Sequence, residues 1–407
     1  MATLEELEAR GGGVTGNSFP RPAACRGTAK PPTPTRPRSL RQTLVMMGRS
    51  IRRQWPAVGI ALALLVSGCA TGEKSGRLTG PPSVTRPAES SVAAPAEPAL
   101  APVPTAPPVG TVIPFANAPE GIVVGTSGNG AVAVRRPDGV ALIDAASGAV
   151  RIMVPTTGAA RHLGLAGADG PVLAPLEASN EVVEITLPDG RITQKVDGVG
   201  HQPHDIGRTE GGTLIATNEL GGGVIFIKDG AVVGSLPDGP PQPGGLAVVG
   251  RYAAVADVQG NGVWVYDGTT RQLVAHAPVG TKLTHAVALR GDEVAFADTD
   301  GGAVLIEQIT PAVRDVARID APGRPYGLGF DTARNLLFVT LTESNLLRVV
   351  DVMDPAAPKI LGDVATVRQP NSVTVNPSSG SVLITGSRSG PDSALQIVPA
   401  DLLPRRH

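Results

Sequence analysis

The chain has 407 residues, 35 Lys and Arg against 36 Asp and Glu, and only 2 Trp, 3 Tyr and 6 Phe. Balanced charge gives no overall attraction to nucleic acid, which needs a basic surface. With so few rings, a core must be built from Val, Ile, Leu and Ala, a supply that suits many short strands, and 51 Gly with 39 Pro imply turns at close intervals.

Residues 1–45 carry no apolar periodicity and include PPTPTRPRS. They read as disordered or as an upstream extension of the reading frame, with Met46 or Met47 rather than Met1 as the expected start. From Met46 the text becomes MMGRSIRRQWPAVGIALALLVSGCA: Arg49, Arg52 and Arg53, then a ten-residue apolar run from Ala57 to Val66, then small residues before Cys69. That order over 46–68 is a secretory signal, because the apolar run is half of what a spanning helix needs. Its ending, VSGC, resembles the lipobox of bacterial lipoproteins, which implies lipidation of Cys69 and an extracytoplasmic protein anchored in the cell envelope. Cys25, the other cysteine, precedes the signal, so the exported chain is expected to lack a disulfide.

Residues 69–110 follow as a flexible tether, with nine prolines among Ala, Ser, Glu and Thr between Ala70 and Gly110. After residue 68 the chain holds 25 Lys and Arg against 33 Asp and Glu, a net charge of about −8. No nucleic-acid partner is expected.

From 111 onward the sequence repeats. The segments APEGI, ARHLG, QPHDI, QPGGL, LTHAV, RPYGL and QPNSV share an anchor at their third residue: Glu120, His162, His204, Gly244, His285, Tyr326 and Asn371. The separations are 42, 42, 40, 41, 41 and 45 residues, the spacing of a four-stranded propeller blade. After each anchor comes a second apolar run ending thirteen to fifteen residues on, as in IATN, AVAD and AFAD, and a third such as GVIFIK or GVWVYD. The last unit has only ALQIVPA after its second run, whereas TVIPFANAPEG precedes the first unit as a spare. The expected fold is therefore all-β: one seven-bladed β-propeller over 111–404, closed by its N-terminal strand.

TLIATNELGGGVIFIKDG, AAVADVQGNGVWVYDGTTRQLV and NLLFVTLTESNLLRVVDV give the chain a resemblance to the YVTN repeats of surface-layer and related bacterial β-propellers. The likeness covers 111–404. It implies the fold and not an activity, since Leu176, Leu341 and Gly386 replace the repeat's asparagine, and such propellers include binding proteins as well as lyases and redox enzymes.

In a four-stranded blade the loop into the first strand and the loop from second to third lie on one face. The anchors and the second-strand ends are thus expected around one channel mouth: His162, His204, His285, Tyr326 and Asn371 with Glu177, Glu219, Asp257 and Asp298 as ligand-binding residues. Three of the chain's six histidines fall on seven anchor positions. Asp205 is expected to orient a neighbouring amide or imidazole, and His201 to be solvated. There is no G-x-S-x-G, C-x-x-C or H-E-x-x-H, GTSGNG lacks a phosphate loop's lysine, and DTDGG lacks a calcium loop's later carboxylate. No catalytic residue is named and no cofactor is called for, although the histidines leave a metal at the mouth open. The expected function is a monomeric, membrane-anchored lipoprotein whose propeller binds a protein partner or small ligand; the alternative is a lyase or hydrolase using His and Glu at the same mouth.

Overall fold

The computed structural model describes residues 97–406. The expected signal sequence and Cys69 lie outside the described residues, and no described helix is long and apolar enough to cross a membrane. Seven four-stranded antiparallel sheets account for the strands. Blades 1 to 6 span 122–155, 164–196, 203–236, 243–278, 283–320 and 325–365 in simple up-and-down order. Blade 7 takes three strands from 370–398, and its outermost strand is Thr111–Pro114, paired Thr111 to Ile397 and Pro114 to Ala394. The spare N-terminal unit thus closes the ring, as expected.

The burial pattern explains why the repeats read as they do. Second strands such as Val172–Leu176 and Leu336–Leu341 are buried throughout, because each is covered on both faces by neighbouring blades, which demands continuous apolar runs rather than alternation. Outer strands such as Val150–Pro155 are mostly exposed and carry mixed sequence. Seven apolar clusters result, one at each blade interface. Blade 3 meets blade 4 through Phe226, Leu246, Val255 and Tyr266, with Phe226 and Tyr266 edge to face at 6.4 Å. Blade 7 meets blade 1 through Leu383, Leu395, Ile397, Ile122 and Val132, and Ile113 of the closing strand packs against this cluster.

The tether expected over 69–110 is in part held against the domain. Val109 donates its N–H to Ala365 O at 3.0 Å, and residues 97–102 hydrogen-bond to the face on which the first strands begin, called here the upper face. Composition rich in Pro and Ala excludes a core but not a surface strap.

Packing of the closing strand makes a specific expectation. Ile113→Ala removes a side chain from the blade 7 to blade 1 cluster and should cost about 1–3 kcal/mol, whereas Val112→Ala, at 43% exposure, should change stability by less than about 0.5 kcal/mol. Urea unfolding of both variants checks this, and equal effects would mean that the strand does not pack into the ring.

Candidate functional site

The site begins with a backbone device. The residue before the proline that leads into blades 1, 3, 6 and 7 adopts positive φ: Ala118 at 45°, Gln202 at 59°, Arg324 at 60° and Gln369 at 62°. This conformation is costly for a residue with a side chain and turns the chain inward, so that the following proline and anchor enter the axis. Neighbouring first strands then approach very closely. A Cβ on Gly121 would lie 2.8 Å from His162 Cα, on Gly245 2.6 Å from His285 Cα, and on Gly327 2.4 Å from Asn371 O.

Blade 4 contributes Gly244 as its anchor, so no side chain fills its sector. His285 of blade 5 therefore reaches His162 of blade 2, with ring centroids 4.5 Å apart. His162 also meets His204 at 4.7 Å, and His285 meets Tyr326 at 4.2 Å. These four rings cross the channel below the upper face and form a plug, rather than the open rim expected.

On one side of the plug lies a charge cluster. His204 Nδ1 stands 3.2 Å from both Glu177 Oε1 and Glu219 Oε2. Gln202 Nε2 donates to Glu219 Oε2 at 2.6 Å, Arg135 holds Glu177 Oε2 at 2.9 Å, and Arg161 Nε lies 3.5 Å from Glu177 Oε1. Burial opposes charge on His204, yet Glu219 and Glu177 outweigh it and raise its pKa to about 10. Burial likewise works against the Glu177 carboxylate, but the His204 hydrogen bond and charge, with Arg161 and Arg135, hold it at about 2. The cluster is thus Glu⁻–His⁺–Glu⁻, with the imidazolium's Nδ1–H facing both carboxylates.

The other two histidines are neutral. Burial, then the charges of His204 and Arg161, depress His285 to about 3; burial, then His285, His204 and Arg161, depress His162. His162 Nδ1 is 3.6 Å from Asp205 Oδ2. Asp205 accepts from the backbone N–H of Ile206 and of Leu246, both at 2.8 Å, while burial raises its pKa to about 6. It holds two backbone amides, as expected of it, and reaches the His162 imidazole only at 3.6 Å, beyond hydrogen-bond distance. His285 is 7% exposed, and neither of its ring nitrogens has a hydrogen-bond partner among the described residues.

Beneath the plug the channel is a cavity of about 510 Å³. Its walls are first-strand residues including Val123, Leu165, Val248, Val287, Leu328 and Phe330, its inner end carries His162, Asp205 and His285, and its outer end, on the lower face, carries Arg208, Asp331 and Thr332.

The predicted residues therefore divide. Asn371 joins the upper part of the site, donating to Glu120 Oε2 at 3.3 Å and accepting from Gln369 at 3.1 Å. Asp257 and Asp298 do not join it. Asp257 accepts from the N–H groups of Gln259 and Gly260 and from Trp264; Asp298 accepts from Thr281, Lys282 and Gly301. Both are the last residue of their strand; Asp257 folds back on its own loop, whereas Asp298, like Asn218, joins its own loop to the loop that leads into the blade. Glu177 and Glu219 stand one residue beyond the strand end, and the alternation of side chains sends them to the axis instead. The signal was in the register. Arg161, Gln202 and Gln369 were missed; the glutamines recur two residues before an anchor.

Glu177, His204 and Glu219 place donor atoms within 4.8 Å of one another and are the described residues that could hold a metal, but a cation there would displace the His204 proton and face Arg135 and Arg161.

No family model and no curated protein matches the sequence. Among solved structures, virginiamycin B lyase from Staphylococcus aureus superposes with a TM-score of 0.58 at 14% identity, covering 71% of this chain and 99% of that one. A streptogramin B lyase gives 0.57 at 16% identity over 72% and 97%. The WD40 repeats of RRP9 give 0.62 at 12% over 72% and 98%. Identities this low establish the seven-bladed fold alone.

The charged cluster makes stability depend on pH in a defined direction. Because His204 titrates higher folded than unfolded, its contribution is complete below about pH 6.5 and is lost as pH rises towards about 10. His204→Asn should therefore cost roughly 3 kcal/mol at pH 6, where it strands two carboxylates, and progressively less towards pH 10. Urea unfolding across that range measures the difference; a gap independent of pH would contradict the assignment of the proton.

Proposed function

We propose that this protein is a binding protein of the bacterial cell envelope, anchored by lipid on Cys69, whose propeller receives a small ligand in the channel from the lower face. The observation that carries the ligand reading is His285: a buried, neutral imidazole with both nitrogens unpartnered among the described residues, at the inner end of the channel cavity. A buried polar group left without a partner is costly, and a ligand that hydrogen-bonds to it removes that cost. A concave cavity with polar groups converging at one end is a usual place for a small-molecule site. The lipobox-like VSGC and the YVTN-like repeats support the envelope reading, and the sequence gives no reason to expect more than a monomer.

A lyase or hydrolase is the second reading. It is favoured by the same neutral imidazole, an unprotonated base buried beside the His162 and Asp205 pair, although burial and the nearby His204 and Arg161 charges hold its pKa at about 3 and make it a weak one; virginiamycin B lyase and streptogramin B lyase are lyases on a similar fold. Glu177 and Glu219, the glutamates expected at the mouth, are tied to His204 and do not line the cavity.

Screening phenols, indoles and lactams by ligand-observed NMR tests both. Hits should bind the intact chain, lose about tenfold in affinity with His285→Phe, the equivalent of one hydrogen bond, and be unaffected by His201→Ala. Hits insensitive to His285 would remove the channel reading, and a hit converted to product would establish the enzyme. The anchor is tested separately: Cys69→Ala should abolish incorporation of labelled fatty acid, and persistent labelling would refute lipidation.

A further inference from the structure

The upper face presents a different site. Residues 97–102, EPALAP, lie across it in extended form, read almost entirely through main chain and one carboxylate. Glu97 forks Arg161, with oxygens 2.9 and 3.0 Å from the guanidinium nitrogens. Gln369 uses both ends of its amide, donating to Ala99 O at 2.7 Å and accepting from Ala101 N at 2.9 Å. Arg368 Nε donates to Ala101 O at 3.1 Å, and Asn345 Nδ2 to Pro102 O at 3.0 Å. A single side chain is enclosed, Ala101 at 3% exposure, while Leu100 points outward at 84%.

This pattern has a selectivity of its own. Among the described residues one N–H of the segment is used, that of Ala101, so Pro98 and Pro102, which have none, fit without loss. Proline also holds the chain extended in advance, which lowers the entropy lost on docking. The enclosed position needs a small residue, and the guanidinium fork needs a carboxylate four residues before it. Residues 97–102 are moreover joined to the ring by an exposed stretch: Val103, Thr105, Ala106 and Pro107 are exposed before Val109 is fixed to Ala365. The segment can leave while the closing strand stays.

We propose that the upper face around Arg161 and Gln369 is a peptide-binding site for an extended, proline-rich segment with an acidic residue four positions before a small one, occupied in cis by residues 97–102. A partner protein presenting such a segment competes with the chain's own. The tethered copy acts at a local concentration in the millimolar range, so a partner must bind tightly or present several copies.

The test uses the full chain with 97–102 replaced by six Gly and Ser residues, and a fluorescent peptide PAEPALAPVP followed by anisotropy. The replaced chain should bind saturably and at least tenfold more tightly than the intact chain. In that background Arg161→Gln should weaken binding about tenfold, as should Glu97→Gln in the peptide, and Ala101→Phe in the peptide should abolish it. A replaced chain that keeps its cooperative melt but does not bind, or that binds the Glu97→Gln peptide equally well, overturns the proposal. A second measurement covers misfolding of the replaced chain: Glu97→Gln in the intact chain should make elastase cleavage within 97–102 several-fold faster, and unchanged protection overturns it equally.

Discussion

Convergence of seven first strands on one axis governs everything else in this molecule. Near the axis the strands run so close that Gly121, Gly245 and Gly327 have no room for a Cβ against the next blade's anchor. That crowding forces each anchor side chain out of the strand plane and into the shared centre. It also makes the vacancy at Gly244 consequential, because removing one side chain from a ring of seven lets residues of blades 2 and 5 touch. The histidine plug is a result of the spacing of blades, and no single blade could build it. The same crowding requires the ring to be shut, which is why the strand Thr111–Pro114 is taken from the far end of the chain.

Electrostatics then divides three similar imidazoles into two kinds. All are buried, and burial alone would keep each neutral. Only His204 has two carboxylates within 3.2 Å, and only it carries the proton. Once it is charged, it raises the cost of charging its neighbours, and Arg161 adds to this. A cation fixed on one side of the plug thereby maintains two neutral imidazoles on the other. The carboxylates sit one residue beyond their strands for this reason: at the strand end itself they would cap loops, as Asp257 and Asp298 do.

How much of this was legible in the sequence follows from what each feature depends on. The blades were legible because a period of about 42 residues with four apolar runs reflects local strand geometry repeated seven times. The closing strand was legible from a deficit at one end and a surplus at the other. His162, His204, His285 and Tyr326 were found because equivalent repeat positions must share a location, but whether they form a rim or a plug depends on the distance across the axis, which no repeat spacing encodes. Asp257 and Asp298 were misplaced since a shift of one residue reverses a side chain's direction, and loop ends do not announce their register. The strap was read as tether throughout, because hydrogen bonds through main chain leave almost no trace in side-chain composition.

The two faces are consequently unlike in kind, and the plug is what separates them. Above it, Glu97, Arg161, Glu177 and His204 form an unbroken series of charged pairs from the strap to the stacked rings. Below it, the inner end of the cavity meets the neutral imidazoles of His162 and His285 with Asp205, and charged side chains return only at the outer end, at Arg208 and Asp331. Spatial continuity alone does not make such a series a route of communication. What the charges do impose is a constraint on anything that displaces the strap: Arg161 is held at 12% side-chain exposure between Glu97 and Glu177, so an occupant without a carboxylate would leave a nearly buried guanidinium with one partner instead of two. That imbalance would fall next on Glu177, whose other oxygen is already committed to Arg135. The acidic residue of the strap is thus required by the interior of the plug as well as by the surface it covers.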